Sequence, residues 1–190
     1  MKAIAYISGI LAISLLATSC DRKVKEERLQ RIDSLEIHLQ NSSEVLGQLD
    51  SMLIVNRLAD IDRTGLWIYD NVTDTLERQP GIAFGDFMRT KKYYNQALTR
   101  YVSVSTEISY SEVQLQSLRS DVKNSFYSEQ EFKGFFNAEA ASIAKVVEAT
   151  YELEEKYEFS NDRYAKFKPV VNSMVDSIKA IIYAPESVNP

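Results

Sequence analysis

One histidine, His38, and one cysteine, Cys20, occur in 190 residues, and these two counts already limit the chemistry the chain can do. A di-iron centre of the bundle type needs two Glu-x-x-His pairs, and a histidine-based zinc site needs at least two imidazoles. Neither can be assembled. A Ser-His-Asp triad would have to use His38, which sits in a charged run between Ile37 and Leu39, and no strained nucleophile turn occurs anywhere. It reads as a solvated helix-face residue. Glycines 47, 65, 81, 85 and 134 stand singly, so no glycine-rich loop can cradle a phosphate. The acidic clusters Asp60/Asp62 and Glu152/Glu154/Glu155 could hold calcium or divide acid and base roles only if carboxylates from separate helices converged. On a helix they read as solvated faces paired with Lys or Arg one turn away. No catalytic residue, metal or cofactor is expected, and no enzyme.

The eleven tyrosines and eight phenylalanines are the stronger signal. Most fall on the apolar stripes described below and read as core. Trp67, Tyr93, Tyr110 and Tyr127 lie off a stripe or at a helix end, where an aromatic with a polar tip either anchors an interface or packs the end of a bundle. These four are the candidate partner-binding residues.

The elements that carry them are helices. Hydrophobic residues make up 45% of the chain and charged residues 26%, enough for a core, while only 6 Gly and 4 Pro are present. So few turn formers argue against a many-stranded sheet. Apolar residues recur at alternating spacings of three and four through Ile32, Leu35, Leu39, Ser42, Leu46, Leu49, Leu53 and Asn56, with Val45, Met52 and Ala59 widening the seam. The register continues through Leu58, Ile61, Gly65, Ile68 and Val72 toward Leu76, so a first helix is expected to run almost to Arg78, with a bend or break near residue 62. Gln79-Pro80-Gly81 is expected to stop it.

Gly85-Asp86 offers the N-cap of a second helix, whose stripe is Phe87, Tyr94, Ala97, Tyr101, Val104, Ile108, Leu115, Leu118 and Val122, with Thr90 and Ser111 as polar interruptions. Ser128-Glu129-Gln130-Glu131 has the form of a capping box. From there a third stripe runs through Phe132, Phe136, Glu139, Ile143, Val146, Thr150, Leu153, Tyr157, Ser160, Tyr164, Phe167, Val171, Met174, Ile178 and Ile181. The register survives both Ser160-Asn161-Asp162 and Pro169, which favours one bent helix over a loop. Short connections make sequential helices antiparallel neighbours. The expected fold class is all-α: an elongated antiparallel bundle of three long helices with coiled-coil-like packing, or four to five helices if the long ones break. Polar residues within the stripes, Ser42, Asn56, Thr90, Ser111, Glu139, Thr150 and Ser160, are expected to fix helix register.

The N-terminus is different in kind. Met1-Lys2 is a short basic start, Ile4 to Ala17 is an apolar run broken only by small polar residues, and Thr18-Ser19-Cys20-Asp21 follows. The run is short for a membrane span and of signal-peptide length. A lone thiol forms no intramolecular disulfide, so its position immediately after the leader needs another explanation. The segment resembles a type II signal peptide, that of bacterial lipoproteins, with Ala17 where that pattern usually has Leu. Relaxed forms of the box resemble those of Bacteroidota. The resemblance implies cleavage before Cys20 and acylation of its sulfur and amino group. An uncleaved anchor and an ordinary cleaved secretory signal remain the alternatives.

Lys25-Glu26-Glu27 resembles the charged tag that directs some lipoproteins of that group outward, which leaves the surface and periplasmic faces both open. Asp33-Ser34-Leu35, Asp50-Ser51-Met52, Asp74-Thr75-Leu76 and Asp176-Ser177-Ile178 resemble the O-glycosylation motif of the same group, making Ser34, Ser51, Thr75 and Ser177 candidate acceptors. An amphipathic helix also generates such triplets unaided.

The expected organisation is a signal peptide at 1–19, a lipidated N-terminus and short tether at 20–27, a helical bundle at 28–183 and a disordered tail at 184–190. Net charge is −5, and one unit more negative once Lys2 leaves with the leader. No run of Lys and Arg offsets it, so nucleic acid is not an expected partner. The expectation is a lipid-anchored protein of the cell envelope, on the outer membrane, held to the membrane through Cys20 and binding or scaffolding another envelope protein. The alternative is a ligand- or client-binding, chaperone-like bundle that uses an apolar groove between helices.

Overall fold

The computed structural model of the chain describes residues 2–73 and 75–184, with side chains from residue 22 onward. It is an all-α helical bundle. The elements are α1 (Lys2–Gln48), α2 (Ser51–Asn71), α3 (Arg78–Lys123) and α4 (Glu129–Ile182), with no strand among the described residues. The chain divides into two compact units: the first joins residues 1–44 to 105–148, and the second joins 45–104 to 149–190.

In the first unit, three helical segments bury the stripes read from the sequence: Ile32, Leu35 and Leu39 from α1, Ile108, Leu115, Leu118 and Val122 from α3, and Phe132, Ile143 and Val146 from α4. Side-chain pairings give their directions. Lys25 Nζ donates to the Lys123 carbonyl at 3.0 Å and Arg119 binds Asp33 and Glu36, so α1 and α3 are antiparallel. Arg28 pairs with Glu129 and Arg31 lies over the Phe136 ring, so α1 and α4 run parallel. Where a short tether was expected at 20–27 the backbone stays helical within α1.

The reversal between α3 and α4 is closed by backbone geometry. Ser125 N–H donates to the Val122 carbonyl and Phe126 N–H to the Asp121 carbonyl, with Ser125 at φ 57°. This is a Schellman motif with Ser125 in the left-handed position that glycine occupies more cheaply. The capping box then forms as its residue types require: Ser128 N–H donates to Glu131 Oε2 at 2.9 Å, and Glu131 N–H reaches Ser128 Oγ at 3.4 Å. α4 continues from there without interruption, with Pro169 inside it and Ser160-Asn161-Asp162 fully helical.

The second unit departs from the expected layout at three places. The first helix ends at Gln48 and α2 begins at Ser51, so the break lies at 49–50 rather than near 62. Asp50 is the reason: its carboxylate accepts from Leu53 N–H at 2.9 Å and caps α2. The cap resets the register. Ile54, Ile61 and Ile68 are buried, while Leu53 is only half-buried and Asn56 is exposed, so Asn56 leaves the set of register-fixing polar residues. Thr64-Gly65 does not bend the chain out of its helix. Gly65 is buried there and lets the Met88 thioether lie against the α2 backbone; an added Cβ would stand 2.8 Å from Met88 Cε.

At the next connection α2 stops at Asn71, seven residues before Arg78, and Val72 N–H closes it onto the Ile68 carbonyl. Pro80 does not terminate a helix. It lies in the first turn of α3, where a missing N–H costs nothing because those amides have no intrahelical acceptor. Asp86, expected as an N-cap, is therefore inside α3 and pairs with Arg89 and Arg163. Ile181, expected on the seam, is 78% exposed.

Candidate functional site

The second unit carries both a polar layer that joins three helices and a large apolar groove. The polar layer connects three helices: α2 and α3 are antiparallel through Asp62–Lys91, α3 and α4 antiparallel through Arg100–Glu152, and α2 and α4 parallel through Asp60–Lys168. At its centre Arg57 Nη1 donates to Tyr94 Oη at 2.7 Å and also to Asn161 Oδ1, and Tyr94 Oη donates to the same Asn161 oxygen at 2.9 Å. One turn along, Tyr164 Oη donates to Asp60 Oδ2 at 2.6 Å, and Lys168 Nζ stands 2.5 Å from that oxygen.

Burial, then the bond to Asp60, raises the Tyr164 phenol far above its usual range, and burial raises that of Tyr94. At Asp60 burial opposes ionisation, but hydrogen bonds from Lys168 and Tyr164 and the charges of Lys168 and Arg63 outweigh it, holding the carboxyl below its ordinary value. These groups are shifted away from neutrality and occupied by one another, which suits alignment of three helices better than proton transfer. The acids expected to pair along their own helix instead pair across it, Asp60 and Asp62 with α4 and α3, and Glu152 mainly with α3.

A carboxyl whose value is depressed by folding contributes stability above its unfolded value and loses it as pH falls through the folded one. Urea midpoints measured from pH 6 downward should therefore fall through the acid range more steeply for the native chain than for Asp60→Asn. Parallel curves would assign no such contribution to Asp60.

Beside this layer, a groove of about 980 Å³ lies between the segment 71–80 and the last turns of α4. Val72, Leu76 and Pro80 form one wall, and Val170, Met174, Ile178 and Ile182, spaced four apart along α4, form the other. Hydroxyls of Thr73, Thr75, Ser173 and Ser177 lie among them, and Glu77 is the only charged lining group among the described residues. Val170, Ile181 and Ile182 in this lining are exposed, and Tyr183, next along the chain, is exposed too. A second concavity of about 940 Å³ along α3 carries Lys91, Lys92, Arg100 and Lys156. Lys91 and Arg100 are already held by Asp62 and Glu152, and Lys156 lies 3.9 Å from Glu152.

The four aromatic candidates fall in separate places. Trp67 is half-buried under Lys179, whose Nζ is 5.2 Å from its ring. Tyr93 meets Phe159 edge-on at 5.1 Å, with Arg163 over both rings. Tyr127 donates to Asp121 at 2.7 Å and lies 5.0 Å from Phe135, while Tyr110 is 60% exposed. Of the candidate glycosylation residues, Ser34, Thr75 and Ser177 are exposed and Ser51 is half-buried beside the Asp50 cap. Thr75 and Ser177 both line the apolar groove, Ser177 donating to the Ser173 carbonyl. Asp74 and the side chain of Cys20 lie outside the described residues, as does the tail from residue 185.

His38 is exposed, as its sequence context implied. Among the described residues no three His, Cys, Asp or Glu come together, and no helix is long and apolar enough to cross a membrane. The sequence does not locate the groove; its signal is the stripe reaching Ile178 and Ile181 after the first stripe has thinned to Val72 and Leu76. Comparison with protein-family models, curated proteins and solved structures finds no match to the chain.

Proposed function

We propose that the chain is a lipid-anchored protein of the cell envelope, held to its membrane through acylated Cys20, and that its bundle is a non-enzymatic module that binds another envelope protein through the groove between segment 71–80 and α4. The carrying observation is that apolar groove. Apolar side chains left in water cost about 25 cal/mol per Å², and a stripe repeating every four residues presents them in line. A partner segment is favoured over a small molecule because Ile181, in the groove wall, is still 78% exposed and Tyr183, outside the wall, is 69% exposed. A small ligand within the groove would leave Tyr183 uncovered. The polar layer behind the groove supports the same reading by holding α2, α3 and α4 in one alignment, since a rigid surface binds with less ordering cost.

Ile181→Glu tests the assignment cleanly, because an exposed residue can be charged without disturbing the core. Captured from detergent-solubilised membranes, the native lipidated protein should enrich a partner that Ile181→Glu loses by about tenfold or more, equivalent to about 1.4 kcal/mol. An identical enrichment profile for the two proteins would remove the groove from the proposal.

A further inference from the structure

We propose that the reversal between α3 and α4 is a membrane-contact edge, with Phe126 entering the headgroup layer of the bilayer that holds Cys20. The inference rests on the acylation of Cys20 proposed above.

Phe126 is 69% exposed and Phe135 51% exposed, and Phe135 lies 5.0 Å from the Tyr127 ring, so three aromatics cluster at one end of the first unit. Phe126 occupies the position of the Schellman motif that commonly packs against an apolar residue one turn back in the helix. Here that residue is Asp121, so the ring has no such seat. The fold also keeps Ser125 left-handed to present it, at a cost a glycine would avoid.

Location supplies the occupant. Lys25 donates to the Lys123 carbonyl and Arg28 to the Tyr127 carbonyl, both at 3.0 Å, which places the reversal beside residues 25–28 of α1. Residue 20 precedes Lys25 by five residues of the same helix, roughly 7–8 Å at 1.5 Å per residue. The polar layer on each side of a bilayer is about 5–7 Å thick. An acyl group leaving Cys20 therefore puts the α3 end of the reversal just outside the headgroup layer, from where an exposed ring can reach back into the zone in which aromatic rings concentrate. Glu129 pairs with Arg28, while Glu131 and Asp121 accept from the uncharged Ser128 and Tyr127 and keep their charge, so the contact assigned here is one made by the rings. The contact should then form on phosphatidylcholine and persist in high salt.

The test is Phe126→Trp in the full-length lipidated protein, on a Trp67→Phe background, reconstituted into phosphatidylcholine vesicles with brominated acyl chains. Tyr110→Trp on the same background is the comparison. Position 110 is exposed and precedes the end of α3 by 13 residues, about 20 Å. The expected result is a blue-shifted Phe126→Trp emission quenched at least twofold, with Tyr110→Trp unquenched. Mass spectrometry of the same sample separates the two readings. An acylated Cys20 with an unquenched Phe126→Trp, equal quenching at both positions, or a shift that follows protein concentration rather than lipid overturns the membrane edge alone. An unacylated Cys20 overturns both.

Discussion

Cys20→Ala is expected to abolish palmitate incorporation and to leave the protein either as a soluble chain or as an uncleaved precursor still carrying its apolar leader. The effect is large because nothing else among the described residues can replace the anchor: no helix there is long and apolar enough to cross a bilayer. Each buried methylene contributes about 0.8 kcal/mol, and one myristoyl chain alone gives a partition constant of about 10⁴ M⁻¹. Two or three chains on one residue make attachment stable, and their common point of attachment makes a single substitution sufficient to remove it. Aromatic contact at the reversal between α3 and α4 adds to this attachment but cannot stand in for it, since a few interfacial rings give only reversible binding. Metabolic labelling followed by membrane flotation reads both parts. Palmitate entering the alanine variant at the native level would contradict the lipoprotein reading directly.

The second large effect concerns the core of the second unit. Ile54→Ala should cost about 2–5 kcal/mol, because Ile54 is fully buried and its removal leaves a cavity that three helices cannot close. Asn56→Ala should stay within about 0.5 kcal/mol, because Asn56 is exposed. Against a total stability of about 5–15 kcal/mol for a domain, the first change is visible as a large drop in urea midpoint and the second is not. The pair is chosen because the uninterrupted heptad register ranks these positions the other way, with Leu53 and Asn56 on the seam and Ile54 beside it. Equal midpoints for the two variants, or a larger loss from Asn56→Ala, would mean that α2 packs in the unbroken register and that Asp50 does not reset it.

That reversal shows where the sequence is legible. A stripe of period near 3.5 sustained for forty residues cannot be hidden from water except against other helices. Ile108, Leu115 and Val122, or Ile143, Val146 and Leu153, therefore declare both the helix and its buried face, and all six are buried. The capping box at Ser128 was equally legible, because both partners lie within four residues and need no tertiary context. The proposed processing at Cys20 rests on the sequence alone, on a thiol at the edge of an apolar run.

What the sequence could not decide were choices among locally acceptable alternatives. Asp50 can cap a helix or sit on a helical face, and Pro80 can end one helix or begin the next. In each case the winner is the one that buries Ile54, Ile61 and Ile68, in the same unit as the buried Phe87, Tyr94 and Val171. Asp60, Tyr164 and Lys168 are far apart in the chain, and only the parallel pairing of α2 with α4 makes them a network. The groove beside Ile178 and the exposed ring of Phe126 follow from the same cause. Amphipathic pattern records which residues need cover, and only the packed chain determines which of them receive it.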